Sequence, residues 1–356
     1  MPSLRRGYFL WLALLACLSE CKGTPAEPEA HATSAPPVSP GALRAAASVS
    51  SAVPAAPASA VAPVLGSGKR SSKIKHVFVI PLENHDAAQV YSPDNAPYIH
   101  GLLDKYAHAE NFDDELPHEI PSEPHYVWME AGTNRFSDNT FTDDAVPSAS
   151  NSTGSTQHLV TQLKQAGLDW TAYQEGLNEQ TGACPIRYFE FYAPKHNPFV
   201  FFRDVSGDPP SPDNAYCVAH HKPYGAFAAD LAADKLSPYV FITPNQCHDM
   251  HGQRGCPGQD LVRAGDDWLK TALPPLIAYA DKQSSVIFLV WDEGDSSDKL
   301  PFLAIGPMIK PHYTAQTHYT HSALLKSMEL MLGVPVLATV AASPDLGELF
   351  KPGSFP

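Results

Sequence analysis

Ser285-Val286-Ile287-Phe288-Leu289-Val290-Trp291-Asp292-Glu293 is the stretch that decides how this chain folds. Its apolar run from Val286 has no polar break and then meets two carboxylates. Such a run reads as a strand buried on both faces. His76-Val77-Phe78-Val79-Ile80 has the same character and leads into Glu83-Asn84. Tyr239-Val240-Phe241-Ile242 repeats the pattern, ends at Pro244 and leads into Asn245, His248, Asp249 and His251. Leu168–Tyr173 and Phe302–Ile305 read as further strands. Helical spacing covers 97–107, Ser155–Ala166 up to Gly167, Gly225–Leu236, 260–282, and Thr320–Leu332 up to Gly333. Strands alternating with helices predict an α/β domain over residues 76–350, with a mostly parallel sheet and helices on both faces.

The chain has 356 residues, 44% of them hydrophobic and 10% aromatic, a globular composition. Its formal net charge is −14, against a nucleic-acid partner, which requires a basic surface to neutralise phosphates. The charge is unevenly placed. Residues 1–75 hold eight Lys/Arg and three Asp/Glu, which leaves −19 for the remainder.

Arg5-Arg6 followed by the apolar run Tyr8–Ala16 predicts a secretory signal, too short to span a bilayer. Leu14-Leu15-Ala16-Cys17 reads as a lipobox, so residues 1–17 are expected to be a leader and Cys17 a lipid anchor; an ordinary cleaved signal is the alternative. Cys21 fits less well because Glu20 precedes it. Residues 18–75 read as a Pro/Ala/Ser-rich tether, because 22–75 contain eight prolines and no aromatic residue to bury. The expected location is the periplasm or the outer cell surface. The four remaining cysteines suggest the disulfides Cys184–Cys217 and Cys247–Cys256. A zinc site is the alternative, but no C-x-x-C pair supports it.

The polar residues gather where strands end, the ligand edge of an open α/β sheet. Glu83, Asp292 and Glu293 are hard oxygen ligands, Asn84 can add a carbonyl oxygen, and carboxylates so gathered call for a divalent cation of unassigned identity. Glu119-Ile120-Pro121-Ser122-Glu123-Pro124-His125-Tyr126-Val127-Trp128 offers a hydroxyl nucleophile. Ser122 is expected to cap a helix over 123–131, and a plain capping role is its alternative reading.

These residues, in order, resemble the bacterial phosphoesterase family of acid phosphatases and phospholipase C enzymes, a branch of the alkaline-phosphatase-like fold. Val77–Asn84 resembles its opening strand and Glu-Asn pair, and Pro121–Tyr126 its Pro-Ser-x-Pro-Asn-Tyr motif. Lys195-His196-Asn197-Pro198-Phe199 resembles Arg-His-Asn-Pro-Phe, and Pro244–His251 resembles Pro-Asn-x-x-x-Asp-x-His. Trp291–Gly294 and Tyr319–Ser322 complete the series, which covers roughly 75–335. The resemblance implies a three-layer α/β/α sandwich and a phosphoserine formed on Ser122. Metal would be held by Glu83, Asn84, Ser122, Asp292 and Glu293. His196, Asn245 and His251 would contact the phosphoryl group, with His125 beside the nucleophile and Asp249 and His321 in supporting catalytic roles. His125 stands where the motif has asparagine. His85-Asp86-Ala87 replaces the Ser-Phe-Asp common in the phospholipase branch.

The leading expectation is a secreted, metal-dependent acid phosphatase acting on a small phosphate ester. Phosphodiesterase or phospholipase C activity on a phospholipid is the alternative. A sulfatase reading fails on Tyr126, which stands where its motif requires arginine. From a different class, a non-catalytic metal- or glycan-binding surface lipoprotein would leave Ser122 without a task.

Overall fold

The computed structural model describes residues 70–177, 183–258 and 260–356. The leader, Cys17 and the tether up to residue 69 lie outside the described residues. Eight strands form one sheet: β1 Val77–Leu82, β2 Ala107–Ala109, β3 Trp170–Gln174, β4 His221–Pro223, β5 Tyr239–Thr243, β6 Val286–Trp291, β7 Phe302–Ile305 and β8 Tyr313–Ala315. Their order is β4-β3-β5-β1-β6-β7-β2-β8. All neighbours are parallel except where β7 meets β6 and β2, so the sheet is mixed with one reversed strand.

Every residue of β1, β3, β5, β6 and β7 is buried, which requires cover on both faces. The helices are α1 Ala87–Val90, α2 Pro97–Leu103, α3 Ser122–Ala131, α4 Leu159–Gln165, α5 Arg203–Ser206, α6 Ala215–His220, α7 Phe227–Ala232, α8 Leu261–Gln283 and α9 His321–Leu332. Helices α3, α4 and α9 pack together, and α2 packs with α8 as a separate group. The result is an α/β sandwich with the long strands in its middle layer.

The helix expected over Ser155–Ala166 forms only over Leu159–Gln165, and three further features depart from the sequence expectation. The helix expected over 97–107 stops at Leu103, and only its last residue, Ala107, enters β2. β2, β4 and β8 are three-residue strands, too short to show a period of two. The segment 225–236 yields only Phe227–Ala232 as α-helix, after a 3₁₀ turn at Tyr224–Ala226. The two disulfides pair as expected, Cys184 with Cys217 and Cys247 with Cys256.

Register positions the chemistry. Leu82 of β1 lies opposite Trp291 of β6, so Glu83 and Asp292 emerge side by side. The Asp292 N–H donates to the Leu82 carbonyl at 3.0 Å, which carries the alignment one residue past the strands. On the other side, the Glu83 N–H donates to the Asp249 carbonyl at 2.8 Å and draws in the loop after β5. Asn84 adopts φ 41°, a left-handed conformation that asparagine tolerates better than most residues. After Glu293, Gly294 is required by space, because a Cβ there would lie 1.8 Å from the Ser297 carbonyl oxygen. That turn is wrapped around Asp86, whose Oδ1 accepts the N–H groups of Asp295 and Ser297 at 3.1 Å.

Away from the sheet edge, α9 buries Glu329 completely. Its Oε1 accepts the Leu337 N–H at 3.0 Å, while Oε2 has no partner. Burial raises its pKa to about 8, against weaker lowering by Leu337 and Gln162. The folded protein therefore holds a proton here that the unfolded chain releases above its ordinary value near 4.5. Stability contributed by this group is present at low pH and is lost as pH rises towards 8. Glu329→Gln keeps the acceptor and cannot ionise. Its gain over the parent protein, read as unfolding free energy in urea, is expected to grow between pH 5 and pH 8 to ~2 kcal/mol or more.

Candidate active site

Helix α3 begins one residue earlier than expected. Pro121 occupies the cap position, Ser122 is the first helical residue, and the Ser122 hydroxyl makes no capping bond. Asp144, from a distant loop, caps instead, its Oδ1 accepting the Glu123 N–H at 3.0 Å. The plain explanation for Ser122 is therefore removed. Its Oγ lies 3.0 Å from Glu83 Oε2 and 3.2 Å from Glu293 Oε1, and the residue is 1% exposed.

The carboxylates come with their supports. The Tyr126 hydroxyl, one turn along α3, donates to Glu83 Oε1. His196 stands between two acids, with Nε2 3.2 Å from Glu83 Oε2 and Nδ1 3.1 Å from Asp249 Oδ2. Burial disfavours the charged imidazole, but Glu83 and then Asp249 outweigh it and raise the pKa to about 9. Glu83 responds in the opposite sense. Burial would raise its pKa, yet His196, with His251 and Lys195, holds it well below the usual carboxylate range. Asp292 is pushed well above its ordinary value by burial and then by the charges of Glu83 and Glu293. Glu293 rises to about 7 through burial, which His125 only partly offsets.

Asn84 Nδ2 donates to Glu293 Oε1 at 2.9 Å, and its N–H donates to Asp292 Oδ1 at 3.2 Å. Asn84 Oδ1 and Asp292 Oδ2 are buried without hydrogen-bond partners. Unspent hard oxygens beside crowded carboxylates fit a divalent cation, which would satisfy both oxygens and screen the repulsion. The residues that could hold it are those expected: Glu83, Asn84, Ser122, Asp292 and Glu293. A second donor set, not expected as such, shares Glu83. One ligand atom each from Glu83, His196 and His251 lie within 4.8 Å of one another.

The remaining expected residues are placed as follows. Asp249 Oδ1 accepts the His251 N–H at 2.8 Å, so Asp249 orients both His196 and His251. His251 uses its Nδ1–H on the Gly252 carbonyl at 2.6 Å and leaves Nε2 as an acceptor. His125 departs from a phosphate-contacting role. It is fully buried, with Nδ1 2.8 Å from Asp114 Oδ1 and Nε2 2.9 Å from the Ile120 carbonyl, so neither nitrogen is free. Its Nε2 also lies 3.5 Å from Glu293 Oε2, where it holds that carboxylate. His321 likewise opens α9 fully buried and bonds the Trp291 carbonyl at 2.8 Å, steadying the strand end rather than reaching the serine. Asn245 Oδ1 accepts the Cys247 N–H at 2.9 Å and its N–H donates to Glu175, which makes it a turn residue in this arrangement.

Lys195, which precedes His196 in its motif, has no role in the sequence expectation. Its Nζ lies 3.5 Å from Ser122 Oγ, 2.7 Å from Asp144 Oδ2 and 3.1 Å from His251 Nε2. Its partner acids Glu83 and Asp144 outweigh burial and raise its pKa, so the amine is charged. Its neighbour His196 was the available signal. Asp114 and Asp144 carried no signal, because their roles come from loops that only the fold brings to α3.

The profile of the phosphoesterase family matches residues 75–335, most of the chain. A phosphatidylinositol-3-phosphatase of Mycobacterium tuberculosis is 26% identical over 77% of this chain and 82% of its own. A phosphate-repressible acid phosphatase of Penicillium chrysogenum is 28% identical over 61% of this chain, which spans only 50% of that enzyme. A probable acid phosphatase of Kluyveromyces lactis is 26% identical over 80% of this chain and 64% of its own. Among solved structures, a Vibrio parahaemolyticus protein of the alkaline phosphatase superfamily superposes with a TM-score of 0.50 at 13% identity, covering 81% of this chain and 72% of that one. Murine ectonucleotide pyrophosphatase/phosphodiesterase 5, in complex with AMP, gives 0.51 at 10% identity, covering 78% of this chain and all of that one. These two likenesses bear on the fold alone, which is alkaline-phosphatase-like. The family match over residues 75–335 makes this chain a member of the phosphoesterase family, hydrolases that act on phosphoric ester bonds.

Proposed function

We propose that the protein is an exported, metal-dependent phosphomonoesterase of the acid phosphatase type, working through a phosphoserine at Ser122. The observation that carries this reading is the Ser122 hydroxyl, buried at a helix start, free of any capping bond and set between Glu83 and Glu293. A structural serine has no need of two carboxylates and a lysine around its oxygen. Two disulfides in the catalytic region fit an oxidising, extracytoplasmic location.

A divalent cation held by Glu83, Asn84, Asp292 and Glu293 would supply Lewis acidity at the serine oxygen and the phosphoryl group. The residues themselves do the following. The Ser122 hydroxyl proton is donated to Glu293, the more basic of its two carboxylate neighbours, as the oxygen attacks phosphorus. The bond between phosphorus and the ester oxygen breaks, and the alcohol leaves with the proton that the carboxylate took from Ser122. Water then cleaves the phosphoserine, and the serine recovers its hydrogen. Lys195 is positively charged and would balance the phosphoryl oxygens directly, while His196, its two nitrogens held by Glu83 and Asp249, would add its charge from behind Glu83. Asp249 keeps His196 and His251 aimed, and Tyr126 fixes the rotamer of Glu83.

Ser122→Ala is expected to abolish phosphate release from p-nitrophenyl phosphate, by at least about three orders of magnitude in kcat. Full activity in a clean preparation of that variant would sink the proposal. Dialysis against a chelator should remove activity, and added divalent metal should restore it; activity indifferent to exhaustive chelation would remove the metal from the reading. Lys195→Met is expected to lower kcat/KM about 100-fold with the fold intact, while Lys195→Arg keeps part of it. A Lys195→Met enzyme at parental kcat/KM would take the amine out of the mechanism.

A further inference from the structure

The buried Lys195 ammonium has three N–H donors and three partners. It faces Asp144 Oδ2 at 2.7 Å, His251 Nε2 at 3.1 Å and Ser122 Oγ at 3.5 Å. Only Asp144 among them is a carboxylate, and the Ser122 contact is at the limit of a hydrogen bond. A lysine stem of four carbons is flexible, so the amine stays where its strongest partner holds it. A second acid competes for that role. Glu83 Oε2 lies 3.0 Å from the same Ser122 oxygen, and its charge acts on Lys195 more strongly than that of Asp144. An amine drawn onto Glu83 would spend a carboxylate of the cation set and leave the phosphoryl position.

Asp144 can oppose Glu83 because its own place is fixed. Its Oδ1 accepts the Glu123 N–H at 3.0 Å, and the Ala145 N–H donates back to Glu123 Oε2 at 2.7 Å. This reciprocal pair does the work of a capping box, assembled from two separate segments. Glu123 is fully buried, and its Oε1 accepts from Asn151 Nδ2 at 2.8 Å. Asn151 and Ser148 exchange backbone hydrogen bonds at 3.2 Å, and Arg203 Nε donates to Ser152 Oγ at 3.0 Å, which ties down the far end of the loop.

The two oxygens of one carboxylate therefore face two different elements. Oδ1 faces α3, which carries the nucleophile, and Oδ2 faces the amine of the 3₁₀ turn Pro194–His196. A rigid group so placed sets the separation between the Ser122 hydroxyl and the positive charge. Its bare charge has the opposite tendency, because an anion beside a phosphoryl site repels an anionic ester. Deleting the charge alone would then help the substrate, whereas deleting a support of Lys195 would harm it.

We propose that Asp144 is a positioning residue, which holds the Lys195 ammonium at the Ser122 oxygen and away from Glu83 while capping the helix that carries the nucleophile. This rests on the roles given above to Ser122 and Lys195. The test is a double-mutant cycle of Asp144→Asn and Lys195→Met on p-nitrophenyl phosphate, with inorganic phosphate as competitive inhibitor and urea unfolding as the check on the fold. Asparagine keeps an oxygen for the Glu123 N–H and offers the amine no charge. Asp144→Asn is expected to lower kcat/KM about tenfold and to weaken phosphate inhibition about fivefold, with the urea midpoint unchanged. Within the Lys195→Met protein the same change is expected to cost less than about twofold. Asp144→Ala, which also removes the cap, is expected to lower the urea midpoint as well. A kcat/KM at or above the parental value in Asp144→Asn overturns the proposal. So does an equal loss with and without Lys195, or a loss that comes with a lowered urea midpoint in Asp144→Asn. Parental kcat/KM in Lys195→Met overturns instead the reading of the amine on which the proposal rests.

Discussion

The structure depends on one alignment, Leu82 of β1 opposite Trp291 of β6. It delivers Glu83 and Asp292-Glu293 to the same buried point at the carboxyl edge of the sheet. Strands covered on both faces bury these carboxylates, so solvent screens them poorly. Three carboxylates in such a place repel one another, and burial first and then that repulsion raise the pKa values of Asp292 and Glu293. Much of the surrounding structure counters that repulsion.

The countermeasures come from every side. Tyr126 and Ser122 reach Glu83 from α3, His196 reaches it from the 3₁₀ turn at Pro194–His196, and the backbone of Asn84 meets Asp292. Each supporting group is itself supported. Asp249 stands behind His196, Asp114 behind His125, and Asp144 behind Lys195. Such pairing fixes rotamers and proton positions, and preorganised charge is what stabilises a developing phosphoryl transition state.

Much of the fold was legible because long buried strands leave an unmistakable mark. β1, β5, β6 and β7 were readable as apolar runs, and the helices stopped at Gly167 and Gly333 as their endings predicted. The carboxylates and histidines were readable because they follow those strands directly. What was not legible had no local signal. The three-residue strands β2, β4 and β8 exist only because neighbouring strands offer unpaired edges. That the Ser122 hydroxyl makes no capping bond was also not legible, since a serine before Glu-Pro at a helix start carries every mark of a cap. The cap that displaces it comes from Asp144, a loop away.

By itself the sequence determined the long strands, the mostly parallel sheet and the residue types of the site, because these depend on local periodicity and on side-chain chemistry. The tertiary structure alone decided which of those residues meet. It turned His125 and His321 into buried supports, set Asn245 in a turn and brought Lys195 to the serine. The reason is physical: a side chain's task follows from which of its polar atoms remain unspent once hydrogen bonds with groups distant in sequence are formed.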